Sequence, residues 1–173
     1  MTTQEHPEPE KENLDHIVGR LAGAVARLDP GRRATLRRMD AERDPPLEFI
    51  KLMVTLPIPR WEHNPRAWQT LVAGMTLFDP PPAGTRSSRL GRALAEGGFS
   101  EARLERLLAA QGAAGRRLFL RACRFLAAKR MPINWLDAAQ FLLATDPQRA
   151  RNIRLSIARS FFRTQASASD RRA

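Results

Sequence analysis

The sequence predicts an all-α protein, a compact bundle of about eight or nine helices with short connections. Three observations carry this. Apolar residues recur at helical spacing along almost the whole chain, no stretch alternates in the manner of a strand, and several of the 13 prolines directly follow an Asp or Asn, the pair that caps and opens a helix. At 173 residues, one domain can bury a sizeable core without disulfides or metal.

The elements follow in order. Leu14, Ile17, Val18, Leu21, Val25 and Leu28 mark a first helix. Asp29-Pro30 opens a second, carrying GRRATLRRM. Asp44-Pro45-Pro46 opens a third, holding Leu47, Ile50 and Met53 or Val54, which Pro57 and Pro59 end. Asn64-Pro65 opens a fourth, to about Phe78, and DPPPAGTR is the longest loop. Ser87 or Ser88 caps a fifth, ending at Gly97. Ser100 caps a sixth, which Gly112 stops, and GAAG at 112–115 reads as a turn into a seventh over 113–130. Asn134 caps an eighth, and Asp146-Pro147 opens a ninth, to about Thr164. Residues 1–12 are expected to be a disordered acidic tail, 13–164 a single helical domain and 165–173 a disordered C-terminal tail.

No apolar run approaches the roughly 20 residues of a membrane span. The polar, acidic start MTTQEHPEPEKEN lacks the basic and apolar regions of a secretory signal. One cysteine, Cys123, makes no internal disulfide, so the chain is expected in the cytoplasm with no membrane partner. The 29 Lys and Arg against 18 Asp and Glu give a net charge of +11. Only Lys11, Lys51 and Lys129 are lysines; the rest is arginine, whose guanidinium stays charged and forks onto phosphate oxygens. The excess is concentrated: residues 116–163 hold eleven basic residues and only Asp137 and Asp146 as acids. That pattern points to a polyanion.

Catalytic chemistry is missing. His6, His16 and His63 are scattered, no HExxH, CxxC or phosphate-loop motif occurs, and one cysteine with three separated histidines makes no zinc site. Neither metal nor cofactor is expected. Cys123, in RACRFL on an apolar helix, reads as a small buried hydrophobe. Glu96, Glu101 and Glu105 flank arginines at helical spacing and read as solvated ion pairs.

What remains is arginine on helices. Arg37 and Arg38 lie in the second, Arg116, Arg117, Arg121 and Arg124 run along the seventh, and Arg151, Arg154 and Arg159 stripe the ninth. Arg117, Arg121 and Arg124 share one face at i, i+4, i+7, opposite Leu118, Cys123, Phe125 and Leu126. Phe119, Phe125, Phe141, Phe161 and Phe162 fall at apolar positions and read as core, as do Trp61, Trp68 and Trp135, so no base-stacking platform is expected. The expected contact is to phosphate backbone, independent of sequence and strongly salt-dependent.

Several stretches in order, ATLRRM at 34–39, RWEHNPRAW at 60–68, SRLGRALAEGGFSEARLERLL at 88–108, RACRFL at 121–126 and INWLDAAQFLL at 133–143, resemble the small subunit of the type I-E CRISPR Cascade complex, the CasB family. The resemblance runs from about residue 20 to 163, and the block from 88 to 108 is its most specific part. There LGRAL packs a short helix, Gly91 permits close helix approach, Arg92 is left to solvent or phosphate, and the Gly97-Gly98 pair turns the chain back. Departures are the acidic N-terminal extension and LLATD where some relatives carry a tandem tryptophan.

The resemblance implies a non-catalytic subunit of an RNA-guided DNA surveillance complex. It implies partners in the backbone and large subunits, a second copy of the chain, guide RNA and target DNA, with a basic face holding the displaced and/or target strand of the R-loop. It also implies that the family's basic residues fall on Arg38, Arg66, Arg103, Arg124 and Arg149 or Arg151. Helical geometry adds Arg37, Arg92 and Arg121. The alternative is a stand-alone DNA-binding regulator with a helix-turn-helix around Gly97-Gly98; Glu101 and Glu105 stand where its base-reading side chains belong. An enzyme is the third reading, disfavoured by the missing acid–base or metal cluster.

Overall fold

The structure, a computed structural model, describes residues 14–79 and 88–171. Among them are nine α-helices and one turn of 3-10 helix at Trp61–His63, and no strand. The helices are α1 (Leu14–Ala26), α2 (Pro30–Arg37), α3 (Leu47–Thr55), α4 (Pro65–Met75), α5 (Leu90–Glu96), α6 (Glu101–Ala109), α7 (Gly112–Ala128), α8 (Trp135–Leu143) and α9 (Pro147–Asp170). No helix among the described residues is long and apolar enough to cross a membrane.

The centre is α4. Every residue from Ala67 to Met75 is buried, and α1, α2, α7 and α8 pack around it. A helix enclosed along most of its length needs partners for its end groups, above all at the buried Thr76 end. At the start, the Asn64 side chain accepts from the Ala67 N–H at 3.4 Å and Pro65 removes a donor. Three buried polar side chains are also paired. Thr70 and Thr76 donate back to the carbonyls of Arg66 and Ala73 at 2.7 Å each, and Gln69 donates to the Arg43 carbonyl at 3.2 Å. At the far end, Arg37 from α2 donates through Nε and Nη2 to the Thr76 carbonyl at 2.9 and 2.6 Å.

The caps at Asp29, Ser100, Asn134 and Asp146 form as the sequence predicts. The cap of α5 does not: Ser88 takes no part and Ser87 lies outside the described residues. Instead Asp137 of α8 accepts the Leu90 N–H at 3.1 Å, and the Ser88 carbonyl accepts from the Asn134 N–H at 3.0 Å. A tertiary contact thus supplies what local sequence was expected to supply. Residues 112–115 are the first turn of α7 and not a separate turn, and α6 ends before Gly112 is reached. On α3 the buried face is Phe49, Leu52 and Met53, so Leu47 and Val54 point to solvent. Phe162, expected in the core, is 47% exposed, while Phe161 beside it is buried. Trp68 and Trp135 are buried, and Trp61 packs edge-on against Phe49 at 5.6 Å. α9 runs on to Asp170, past the expected boundary at 164. The expected N-terminal tail and most of DPPPAGTR lie outside the described residues.

The most extensive helix pairing is α5 on α9. Gly91 makes it possible: a Cβ there would collide with the backbone carbonyl of Ile157. After α5 the chain reverses at Gly98, whose φ of +79° is left-handed. The Phe99 N–H reaches the Leu94 carbonyl and the Gly98 N–H the Ala95 carbonyl, at 2.9 and 3.0 Å. Phe99 then lies buried, 5.2 Å from the Phe125 ring of α7. α7 ends on the same bonding pattern, Met131 to Leu126 and Arg130 to Ala127, but the left-handed position holds Arg130, at φ +53°.

Three stability outcomes follow from this geometry. Gly91→Val is expected to cost about 3 kcal/mol by forcing α5 off α9, measured by urea denaturation. Asp137→Ala is expected to cost about 1 kcal/mol and Asp137→Asn, which keeps an acceptor, much less. Arg130→Gly is expected to stabilise by about 1 kcal/mol, because glycine enters the left-handed region without a Cβ penalty.

Candidate nucleic-acid interface

α7 is built of good helix formers, Ala, Leu and Arg, with no acid along its 17 residues. It buries Phe119, Ala122, Cys123 and Leu126 against the core. Arg117, Arg121 and Arg124 therefore emerge together on the outer face, all exposed. The four- and three-residue steps place their Cα atoms about 6 and 4.5 Å apart along the axis. Among the described residues none of the three has an ion-pair partner. Exposed Lys129 and Arg130 continue the positive charge past the helix end. Burial pushes the Cys123 thiol far above its ordinary pKa, so it stays protonated and inert.

The start of α7 meets the turn between α2 and α3. Arg116, with 17% of its side chain exposed, donates through Nε and Nη2 to the two carboxylate oxygens of Glu42 at 2.7 and 2.8 Å. Arg66, on the first turn of α4, brings Nη1 within 3.7 Å of the same carboxylate with its own side chain 58% exposed. The Arg116 hydrogen bond holds the Glu42 carboxyl below its ordinary pKa; burial opposes this, and the charges of Arg116, Arg66 and Arg117 add to the lowering. The stability this pair contributes is thus present above the ordinary carboxylate value and lost as pH falls through the lower, folded one. Exposed Arg38 lines an open depression of about 360 Å³ on the same turn, with Thr35, Asp40, Arg43 and Asp44. Arg43 lies 3.6 Å from Asp40.

Arg66 and Arg117, from α4 and α7, thus stand around Glu42, Arg121 and Arg124 lead away along α7, and Arg38 lies apart at the end of α2 on the same α2–α3 turn. The other expected residues do not join them. Arg37 is committed to the Thr76 carbonyl. Arg92, expected free, is exposed but bonded to Glu96 at 2.7 Å. Arg103 stands on the outer face of α6 among Glu101, Glu105 and Arg106. That mixed face also lacks the character of a base-reading helix.

α9 divides its arginines between two sides. Arg149 lines a polar cleft of about 380 Å³ between α5, α8 and α9, with Arg89, Asn152 and Ser156. Arg151 lines a groove of about 1240 Å³ between α6, α8 and α9 whose floor includes Leu108, Phe141 and Leu142. Arg154 lies over the Phe141 ring at 5.7 Å, a structural cation–π contact. Sequence reasoning missed Glu42 altogether, since a lone acid before Arg43 carries no local signal of a partner at Arg116. Among the described residues no group of three or more His, Cys, Asp or Glu is placed to hold a metal.

Among curated proteins and among solved structures no match to the chain was found. The model of one protein family, described as CRISPR-associated protein Cse2, matches residues 32–162. This span contains most of α2, all of α3 to α8, most of α9 and every arginine discussed above. With an all-helical fold, a basic outer ridge and a family match over three quarters of its length, the chain belongs to the Cse2 family, also called CasB, the small subunit of the multisubunit type I-E CRISPR Cascade complex.

Proposed function

We propose that this subunit binds nucleic-acid backbone without chemistry of its own, stabilising the R-loop by holding the displaced and/or target strand along Arg38, Arg66, Arg117, Arg121 and Arg124. The observation that carries the reading is the acid-free ridge of α7, three exposed arginines in line with no ion pair among the described residues to compete with phosphate. Strand exchange under an RNA guide is nearly balanced in energy, so a few backbone contacts tip it toward the open state. Guanidinium groups on a rigid helix supply such contacts without reading bases. Apart from Phe162 on α9, which is 47% exposed, the aromatics are buried or packed, which favours phosphate over base stacking as the point of contact. In the assembled complex the subunit sits against the backbone and large subunits and a second copy of itself, with guide RNA and target DNA within reach. Arg103, Arg149 and Arg151 would act there only on other faces.

The charge-reversed variant R38E/R121E/R124E tests this with a single-stranded oligonucleotide. Its affinity is expected to fall more than tenfold, and the slope of log K against log salt to flatten by about 2, at roughly 0.7 per phosphate contact on a single strand. An unchanged slope in a folded variant removes these residues from the interface. Binding confined to one duplex sequence would favour the regulator instead.

A further inference from the structure

Resting on that reading, we infer that Glu42 is a built-in counterion for the arginine corner, occupying the place of a phosphate beside Arg66 and releasing Arg66 when nucleic acid arrives. The three arginines around the carboxylate are held unequally. Arg116 is mostly enclosed and doubly bonded to Glu42. It fixes the carboxylate and ties the α2–α3 turn to α7. Arg66 is more than half exposed, and its 3.7 Å approach is an electrostatic contact with no hydrogen bond. Arg117 is exposed and feels the charge without a direct bond. A carboxylate so placed does two opposite things. It keeps the guanidinium of Arg66 from repelling Arg116 and Arg117, which holds the corner in order. It also neutralises part of the field that a phosphate would otherwise meet. Binding exchanges one anion for another at Arg66, while Arg116 stays where it is.

The exchange predicts changes of opposite sign in stability and binding. In Glu42→Gln the enclosed Arg116 loses its charge partner, so the melting temperature is expected to fall. Arg66 is freed, so affinity for a single-stranded oligonucleotide at low salt is expected to rise about fourfold. The salt slope should steepen by about 0.7, one phosphate contact. The decisive comparison repeats the substitution in an Arg66→Gln background, where the gain should vanish if Glu42 acts through Arg66. Should E42Q fold poorly, E42Q/R116Q removes both charges of the enclosed pair and is expected to tighten binding in the same Arg66-dependent way. No tightening, or equal tightening with and without Arg66, overturns the inference. The arms also separate it from the reading beneath it. Binding that responds to R38E/R121E/R124E but not to Glu42→Gln removes the counterion alone. A chain that binds no oligonucleotide removes both.

Discussion

The fold is organised by the need to enclose one helix on all sides and still pair its ends. α4 gives the bundle its centre, and nothing but protein surrounds it from Ala67 to Met75. Its N-terminal donors are met by Asn64 in the ordinary way. The Thr76 carbonyl at the other end is met by Arg37 reaching across from α2. A buried carbonyl left without a partner costs about 1–3 kcal/mol, so α2 cannot move away from α4 without a penalty. The α2–α3 turn is held in turn by Gln69 on the Arg43 carbonyl and by Arg116 on Glu42. The turn that carries Glu42 is thus tied to the central helix by Gln69 and to α7 by Arg116.

This divides the arginines by task. Arg37, Arg116 and Arg154 are used up by a carbonyl, a carboxylate and an aromatic ring. Arg32, Arg43 and Arg92 have exposed acids nearby, pairs that contribute little to stability. Arg38, Arg117, Arg121 and Arg124 have no such partner among the described residues. A net charge distributed in this way does not repel the core apart, because three of these groups stand on the outer face of α7 and the fourth at the exposed end of α2, where water screens them.

Much of this was legible in the sequence. Helix number, the proline-led starts of α2, α4 and α9, the glycine approach at Gly91 and the reversal at Gly98 all follow from local chemistry with one outcome. So does the α7 ridge, because i, i+4, i+7 spacing fixes a face whatever lies opposite. Long-range pairing left no local trace. Nothing near Ser88 says that Asp137 will cap α5, and nothing near Glu42 says that Arg116 will meet it. On α3, Leu47 and Val54 fit an apolar stripe as well as Phe49 and Met53 do, and only the neighbouring helix decides which stripe turns inward. Arg37 and Arg38 are adjacent and chemically identical; the position of the α4 terminus alone separates a structural guanidinium from an available one.

The first turn of α8 has a further effect through its grip on both flanks of residues 80–87. On one side Phe78 lies buried against Trp135, rings 5.5 Å apart. On the other, Asn134 and Asp137 hold Ser88 and Leu90. Phe78 and Ser88 are thus both held against one turn of one helix, which fixes the two flanks relative to each other. Weakening that one turn, by loss of the Trp135 ring or of the Asn134 and Asp137 contacts, would therefore loosen two separate stretches of chain at once.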